Sequence, residues 1–244
     1  MIEKIEGIVI GVVKHSDRHN VVTLYTRTRG RVSFLSSASK GKVGKMRSAR
    51  IMPLAYIAAD VKFSGSRDLQ MLPAVAPVRV WHTLYFSPVK SSLVFFLAEF
   101  LNNLLRNYPT DEQLWLFIRD SICFLDETDE RKLANFHIAF LVRMLPFLGI
   151  NPPVDSYKKG DYFNMEKADF LASPIIRNSP NLLLPAEAAF LPLLERISLA
   201  NHHRFRFDSE TRARILNLLL RYYSLHLSLP PKLKTLPILN TLFS

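Results

Sequence analysis

The chain has 244 residues, of which 48% are hydrophobic and 22% are charged, and its formal net charge is +11. This composition is typical of a folded globular protein and excludes an intrinsically disordered chain. No apolar run reaches the roughly 18 residues that a membrane span requires, and a single cysteine excludes an intramolecular disulfide. We therefore expect a cytoplasmic protein without a membrane segment, and the opening sequence MIEKIEGIVIGVV does not predict a signal peptide.

The net charge is unevenly distributed along the chain. Residues 1–77 contain 13 Lys and Arg against 5 Asp and Glu, whereas the remaining 167 residues contain 19 against 16. A generally basic protein would not show this division, but a polyanion-binding module joined to a nearly neutral region would. The first third of the chain is therefore the predicted site of polyanion binding.

Residues 1–78 are predicted to form a β-structured domain. Five short segments are rich in Val, Ile, Tyr and Phe and are separated by turn residues: IEGIVIGVVK, NVVTLYTR, RVSFLS, MPLAYIAADVKF and DLQMLPAV. Gly7 and Gly11 in the first segment predict a bend or bulge, as strongly coiled small barrels require. Five strands with the widest gap after the third match the layout of an OB-fold β-barrel.

Residues 79–244 are predicted to form an all-α helical domain. The first helix begins with Ser87 as its N-cap and Pro88 at its first position, and apolar residues then recur at three- and four-residue spacing. Residues 150–184 are rich in Pro, Asn and Ser and predict an irregular insert between helices. The predicted class is therefore an α+β multidomain protein, with an N-terminal OB-fold barrel followed by helices.

A block of positive charge begins near the end of the second predicted strand and continues through the widest gap between the predicted strands. Residues 27–50 contain eight cations and no acidic residue: Arg27, Arg29, Arg31, Lys40, Lys42, Lys45, Arg47 and Arg50. Cations at this density neutralise phosphates without sequence preference, and five to seven engaged cations predict a log–log salt slope of about −4 to −5 on single strands. The alternative is a solvated basic loop. KGKVGK does not satisfy the P-loop pattern, so nucleotide hydrolysis is not predicted.

Aromatic side chains that stack on bases are the second requirement of a single-strand binding site. Tyr25 shares a strand face with Val21 and Thr23, so it is a candidate to stack on a base, with a half-buried packing role as the alternative. Phe34 shares a face with Val32 and is predicted to lie in the core.

Metal and catalytic sites are not predicted, and no cofactor is expected. The doublet His202-His203 is interpreted as a surface or helix-end pair, because one cysteine cannot complete a structural zinc set. The acidic run from Asp126 to Glu130 lies between two helical patterns and is interpreted as N-terminal capping. Since no nucleophile, metalloprotease or paired-carboxylate motif is present, we expect a protein that is not an enzyme.

The N-terminal sequence resembles the RecO family of bacterial recombinational repair proteins. The features that carry this resemblance are, in order, the strand Gly7–Ile10, the Ser16-Asp17 turn, the hairpin Val22–Thr26 with Gly30-Arg31-Val32, and the basic loop Lys40–Arg50. Three later segments are similar to the family more loosely: FHIAFLVRMLPFLGINPPVD, YFNMEKADFLAS and LRYYSLHLSLPPKLKTLPIL.

The resemblance implies a DNA repair and recombination mediator. Proteins of this family bind single- and double-stranded DNA, anneal complementary strands and associate with RecR. They also contact the acidic tail of single-stranded-DNA-binding protein (SSB) and help load RecA recombinase on SSB-coated DNA. Two alternatives remain from the residues themselves: an RNA-binding OB-fold adaptor without annealing activity, and an enzyme whose site is assembled from scattered residues.

Two further expectations depend on the resemblance. Many family members carry a four-cysteine zinc module where residues 150–184 lie, but this chain has no cysteine there, so we expect the segment to pack without metal through Tyr157, Tyr162, Phe163 and Phe170. For the SSB tail, an acidic and apolar peptide, the candidate receptor is Arg143 beside Phe140 and Leu141. A solvent-facing arginine on a core helix is the alternative.

Overall fold

The N-terminal sheet has six strands, and its order along the sheet is β5-β3-β2-β1-β4-β6. The structure is a computed structural model, and it describes residues 2–37, 49–64, 69–173, 179–227 and 233–242. The strands are β1 (Ile2–Lys14), β2 (His19–Thr26), β3 (Gly30–Ser37), β4 (Tyr56–Lys62), β5 (Gln70–Met71) and β6 (Ala76–Arg79). Strand β5 pairs in parallel with β3 and also contacts β4, which curls the sheet into an OB-like half-barrel.

Strand β1 is long enough to pair with two neighbours, and the predicted bulge makes this possible. The register between β1 and β2 shifts between Val9 and Gly11, where a β-bulge lies. The N-terminal part of β1 pairs with β4, from Ile2 opposite Lys62 to Ile8 opposite Tyr56. The side chains that point into the half-barrel form its apolar core, including Val9, Leu24, Phe34, Ile57 and Val61.

The predicted fifth strand is wrong in one respect, because DLQMLPAV does not form one continuous strand. Strand β5 ends at Met71, and β6 begins at Ala76 and pairs with β4 on the other side of the sheet. Pro73 lies between them and has no backbone N–H to donate to a ladder. The predicted strand is therefore reduced to the two residues of β5, and a sixth strand, β6, follows it at the opposite edge of the sheet.

In the described part of the chain, three α-helices that follow the strands belong to the same compact unit as the sheet. This unit comprises Met1–Glu127 and Leu233–Leu242, and its helices are α1 (Pro88–Leu104), α2 (Glu112–Glu127) and α7 (Leu236–Leu242). Ser87 caps α1 as predicted, since its side chain accepts a hydrogen bond from the Lys90 N–H at 3.2 Å. The predicted boundary between residues 78 and 79 falls inside β6, and the packing groups these helices with the sheet.

The second compact unit lies within Thr128–Lys232 and is mainly helical. Its helices are α3 (Phe136–Met144), α4 (Pro185–Ala188), α5 (Phe190–Glu195) and α6 (Ser209–His226). Short 3-10 helices also occur at Glu130–Asn135, Pro146–Leu148, Val154–Ser156 and His202–Arg204. Helix α3 is buried along almost its whole length, so it is the central helix of the unit.

The segment predicted as irregular contains a small antiparallel sheet. Its strands are β7 (Tyr162–Asn164), β8 (Asp169–Leu171) and β9 (Leu182–Leu183), in the order β8-β7-β9. Strands of two or three residues are too short to show an alternating pattern in the sequence, which is why the sheet was not predicted. The sheet is nonetheless minor, and the predicted α+β class of an OB-like barrel followed by helices is confirmed.

None of the helices in the described part of the chain combines the length and the apolar character needed to cross a bilayer.

Candidate nucleic-acid interface

Two of the predicted phosphate-binding arginines form ion pairs within the first unit. Arg27 donates from Nε to Glu112 at 2.9 Å, and Arg29 donates from Nε to both carboxylate oxygens of Glu3 at 3.1 and 3.0 Å. The hydrogen bond from Arg29 lowers the pKa of the Glu3 carboxyl, which keeps this carboxyl ionised. Because the partners are 85 and 26 residues distant in sequence, a count of local charge could not have found either pair.

Arg31 and Arg50 are held in different ways. Arg31 is partly buried and donates from Nη2 to the Asn102 side-chain oxygen at 3.1 Å, while burial and the nearby Arg106 lower its pKa. Arg50 is exposed, and its Nη1 donates to the Val75 carbonyl at 3.2 Å. The ion pairs among the described residues do not include Arg50, so Arg50 stays a candidate to bind phosphate.

The other four predicted cations lie outside the described residues. They are Lys40, Lys42, Lys45 and Arg47, within the span 38–48. The sequence of this span contains no acidic residue. Because Arg27 and Arg29 are paired with Glu112 and Glu3, residues 38–50 are a stronger candidate for the interface than these two arginines.

Tyr25 does not offer a face to a base. Its side chain has no exposed surface, its hydroxyl donates to the Asp111 carbonyl at 3.5 Å, and burial raises the pKa of the phenol. Tyr25 therefore has the packing role that was the alternative interpretation, and it is not part of the candidate surface. Phe34 is fully buried in the half-barrel, where its ring lies 6.3 Å from that of Phe63, so its predicted core position is confirmed.

The burial of Tyr25 results from tertiary packing against residues that are distant in sequence. The outer face of strands β1 to β3 is covered by helix α1 and by the chain that follows it. A Cβ at Gly11 would lie 2.9 Å from the Asn102 amide nitrogen, and one at Gly30 would lie 3.0 Å from the Thr110 hydroxyl. Gly30 also has a φ of +61°, in the left-handed region that favours glycine. A side chain at this position would therefore be disfavoured both by the backbone angle and by the contact with Thr110.

An open groove remains beside strands β4 and β5. It has a volume of about 480 Å³ and is lined by Asp60, Lys62, Ser64, Gln70, Met71 and Pro73. Gln70 bridges its two sides, accepting from the Ser64 N–H and donating to the Ser64 carbonyl, both at 2.9 Å. OB-folds bind oligonucleotides at the loop between their fourth and fifth strands, so this groove extends the candidate interface. Local sequence does not indicate this groove, because Lys62 stands alone between Val61 and Phe63.

The predicted receptor for an acidic peptide is only partly assembled. Phe140 and Leu141 are fully buried, because helix α3 is enclosed on nearly all sides, so neither lines a groove. Arg143 does line one, of about 130 Å³, whose apolar walls include Leu145, Pro146, Leu191 and Leu194. The Arg143 guanidinium donates to the carbonyls of Ile197 at 2.6 Å and Glu195 at 2.7 Å, and these bonds leave other N–H groups for a carboxylate.

The described residues hold no group of three or more His, Cys, Asp or Glu side chains that could bind a metal. The predicted surface pair of histidines is divided: His203 is exposed, whereas His202 is buried with its ring 5.9 Å from that of Phe136. Asp129 caps the 3-10 helix at Glu130–Asn135 by accepting from the Arg131 N–H at 2.9 Å, as the capping interpretation predicts.

The family's zinc module does not fit the residues of this chain. The single cysteine, Cys123, lies on helix α2, where Arg79 donates to its sulfur at 3.3 Å. In place of ligands, the small sheet has an aromatic cluster: Phe170 lies 5.2 Å from Tyr157 and 4.8 Å from Phe163, between ring centroids. These ring contacts agree with the expectation that the segment packs through Tyr157, Phe163 and Phe170.

The N-terminal domain is an OB-like half-barrel, and its sequence carries most of the excess positive charge of the chain. These two features are typical of one class of proteins, the OB-fold nucleic-acid-binding proteins. Comparison with known proteins narrows this class. The family model described as Recombination protein O N terminal matches residues 1–81, and Recombination protein O C terminal matches residues 86–235.

Curated relatives match the whole chain. DNA repair protein RecO of Bacteroides fragilis and that of Phocaeicola vulgatus are each 35% identical to it over 244 residues, covering 100% of both chains. DNA repair protein RecO of Porphyromonas gingivalis is 33% identical over 97% of both chains. The chain therefore belongs to the RecO family of DNA repair proteins, as the sequence resemblance predicted.

Proposed function

We propose that this protein is a non-catalytic mediator of recombinational repair. It binds single- and double-stranded DNA, anneals complementary strands and, with RecR, helps load RecA recombinase on SSB-coated DNA. The observation that carries the proposal is the acid-free basic span 38–50, which follows strand β3 of an OB-like half-barrel in which Arg27 and Arg29 are paired with carboxylates.

The charge balance supports binding to the phosphate backbone. Arg27 and Arg29 are neutralised by Glu112 and Glu3, so the excess charge of the first third of the chain lies mainly on residues 38–50. Lysine and arginine side chains there would replace counterions on either DNA strand without reading its bases. Two strands with neutralised backbones repel each other less, which favours pairing of complementary sequences.

The groove at Arg143 supports binding to the SSB tail. An acidic peptide with apolar side chains needs a cation beside an apolar surface, and Arg143 lies among Leu145, Leu191 and Leu194. The guanidinium is held by two backbone carbonyls, so little side-chain entropy is lost when a carboxylate binds. The apolar side chains beside Arg143 are therefore Leu145, Leu191 and Leu194, and not the predicted Phe140 and Leu141.

The test is annealing of complementary oligonucleotides, bare and SSB-coated, across a salt series. Wild type is compared with Lys42→Ala/Lys45→Ala/Arg47→Ala. The matched control is Lys158→Ala/Lys159→Ala/Lys167→Ala, which removes three exposed lysines from the second unit. We expect the first variant to lose annealing and salt dependence on all sequences about equally, while the control anneals as wild type does.

Two results would overturn the proposal. If wild type binds DNA but never anneals it, the mediator function fails, and tighter binding to single-stranded RNA would then favour an RNA-binding adaptor. If the loss in the first variant depends on base sequence, the interaction is not the backbone contact described above.

A further inference from the structure

The second unit contains a basic loop that the proposed function leaves unused. Residues 196–207, here the RFRF loop, have the sequence RISLANHHRFRF, with three Arg and no Asp or Glu. Arg196, Arg204 and Arg206 are all exposed. Within the described ranges, the ion pairs formed by arginine involve other residues, so these three charges face solvent uncompensated.

Side chains from other elements hold the backbone of the RFRF loop in place. Asn135 donates from its amide nitrogen to the carbonyls of His202 at 3.0 Å and Phe205 at 2.7 Å. Arg143 donates to the carbonyl of Ile197 at 2.6 Å. These bonds fix both halves of the loop, so its exposed side chains project from an ordered backbone.

The loop is also closed upon itself. The Asn201 side chain accepts from the Ser198 N–H at 2.7 Å and donates to the Arg196 carbonyl at 3.0 Å. Ile197 and His202 have no exposed surface and anchor the loop to the unit beneath it. A preorganised surface loses little conformational entropy when it binds a ligand.

Aromatic rings alternate with the arginines at the end of the loop. Phe205 has extended backbone angles, and its ring centroid lies 5.9 Å from that of Phe207 at an interplanar angle of 39°. Both rings are partly exposed. The following Asp208 caps helix α6, accepting from the Thr211 N–H at 2.7 Å, so this carboxylate is already engaged.

We propose that the RFRF loop is a second binding surface for single-stranded nucleic acid. Arginine guanidiniums bind phosphates, and aromatic rings stack on bases without sequence preference, so alternation of the two along an extended segment fits an unpaired strand. The inference rests on the proposed function and deepens it. One molecule would hold one strand at residues 38–50 and another at the RFRF loop, which brings two strands to the same protein.

The test uses the full-length protein and a single-stranded oligonucleotide that carries photoreactive iodouracil. The variant Arg196→Gln/Arg204→Gln/Arg206→Gln is compared with Lys158→Gln/Lys159→Gln/Lys167→Gln, which removes the same charge from the same unit. We expect the salt slope of binding to become shallower by about 2 in the first variant, from three lost phosphate contacts, and to stay unchanged in the second. Mass spectrometry should locate the wild-type crosslink at Phe205 or Phe207. Circular dichroism verifies that both variants are folded.

The outcomes separate this inference from the proposed function. If wild type binds and anneals DNA, but the arginine variant keeps the full slope and no crosslink maps to residues 204–207, the inference is overturned and the proposed function stands. If the variant keeps DNA binding and loses an interaction with an acidic protein partner, the loop is a protein-binding surface and the inference is likewise overturned. If wild type does not bind single strands at all, both proposals fail.

Discussion

Arg29, in the turn between β2 and β3, forms a two-point ion pair with Glu3 on strand β1, and the Arg29 guanidinium carbon lies 4.0 Å from the centroid of the Phe63 ring. This arginine is neutralised on one side by a carboxylate and packed on the other against an aromatic ring. It was predicted to bind phosphate because no acid lies near it in sequence. The fold brings the acid to it.

The pairing of Arg27 and Arg29 changes the expected salt dependence of DNA binding. Five cations of the sequence lie at residues 38–50, so this segment alone should contribute about −3.5 to the log–log slope on single strands. Replacing Arg27 and Arg29 together with Ala should change the slope by less than about 0.5, because neither releases many counterions. Fluorescence anisotropy across a salt series measures both values. A loss of 1 unit or more in this double variant would show that the ion pairs open on binding.

Arg143→Ala should weaken binding of an acidic, apolar peptide by about tenfold or more, since a charge-assisted contact of roughly 1.5–3 kcal/mol is lost. Titration calorimetry with a peptide of the SSB tail composition measures this. Arg214→Ala is the matched control, since Arg214 is an exposed arginine of the same unit that lies 4.0 Å from Glu187. Equal affinities in all three proteins would remove Arg143 from the receptor.

Acid should destabilise the second unit before its carboxylates titrate. Burial lowers the pKa of His137 to about 3 and that of His202 to about 4, both from an ordinary 6.5. The unfolded chain therefore binds more protons than the folded one below pH 6.5, and stability falls as pH falls. Each histidine should contribute a slope of up to about 1.4 kcal/mol per pH unit, fully developed near pH 5.

Urea unfolding between pH 7.5 and 5 measures this slope above the range in which carboxylates take up protons. His137→Gln or His202→Gln should each flatten it. An unchanged slope in both variants would mean that other groups take up the protons.

The small sheet should be stable without zinc and sensitive to loss of its aromatic core. Phe163 is fully buried against Phe170 and Tyr222, so Phe163→Ala should lower the free energy of unfolding by about 3–5 kcal/mol. The same change at Phe86, whose side chain is 82% exposed, should cost less than about 0.5 kcal/mol. Elemental analysis should find no stoichiometric zinc, and EDTA should leave the unfolding midpoint in place. Stoichiometric zinc would contradict the assignment of this segment to apolar packing.

The strand and helix classes could be predicted from local pattern. The bulge near Gly11 and the Ser87 cap depend on residues adjacent in sequence, and the structure has both. The end of β5 at Met71, the separate strand β6 and the strands of two or three residues near Phe163 were missed, because such elements are defined by pairing with distant strands.

The sequence by itself determined the class of this protein and the location of its excess charge, because periodicity and composition are properties of neighbouring residues. Only the tertiary structure decided which charged and aromatic side chains remain available. It buried Tyr25 under the chain after helix α1, paired Arg27 with Glu112, and placed Arg143 among leucines from helix α5. The physical reason is that burial and ion pairing depend on distances through space, and residues 85 positions apart in sequence can be neighbours there.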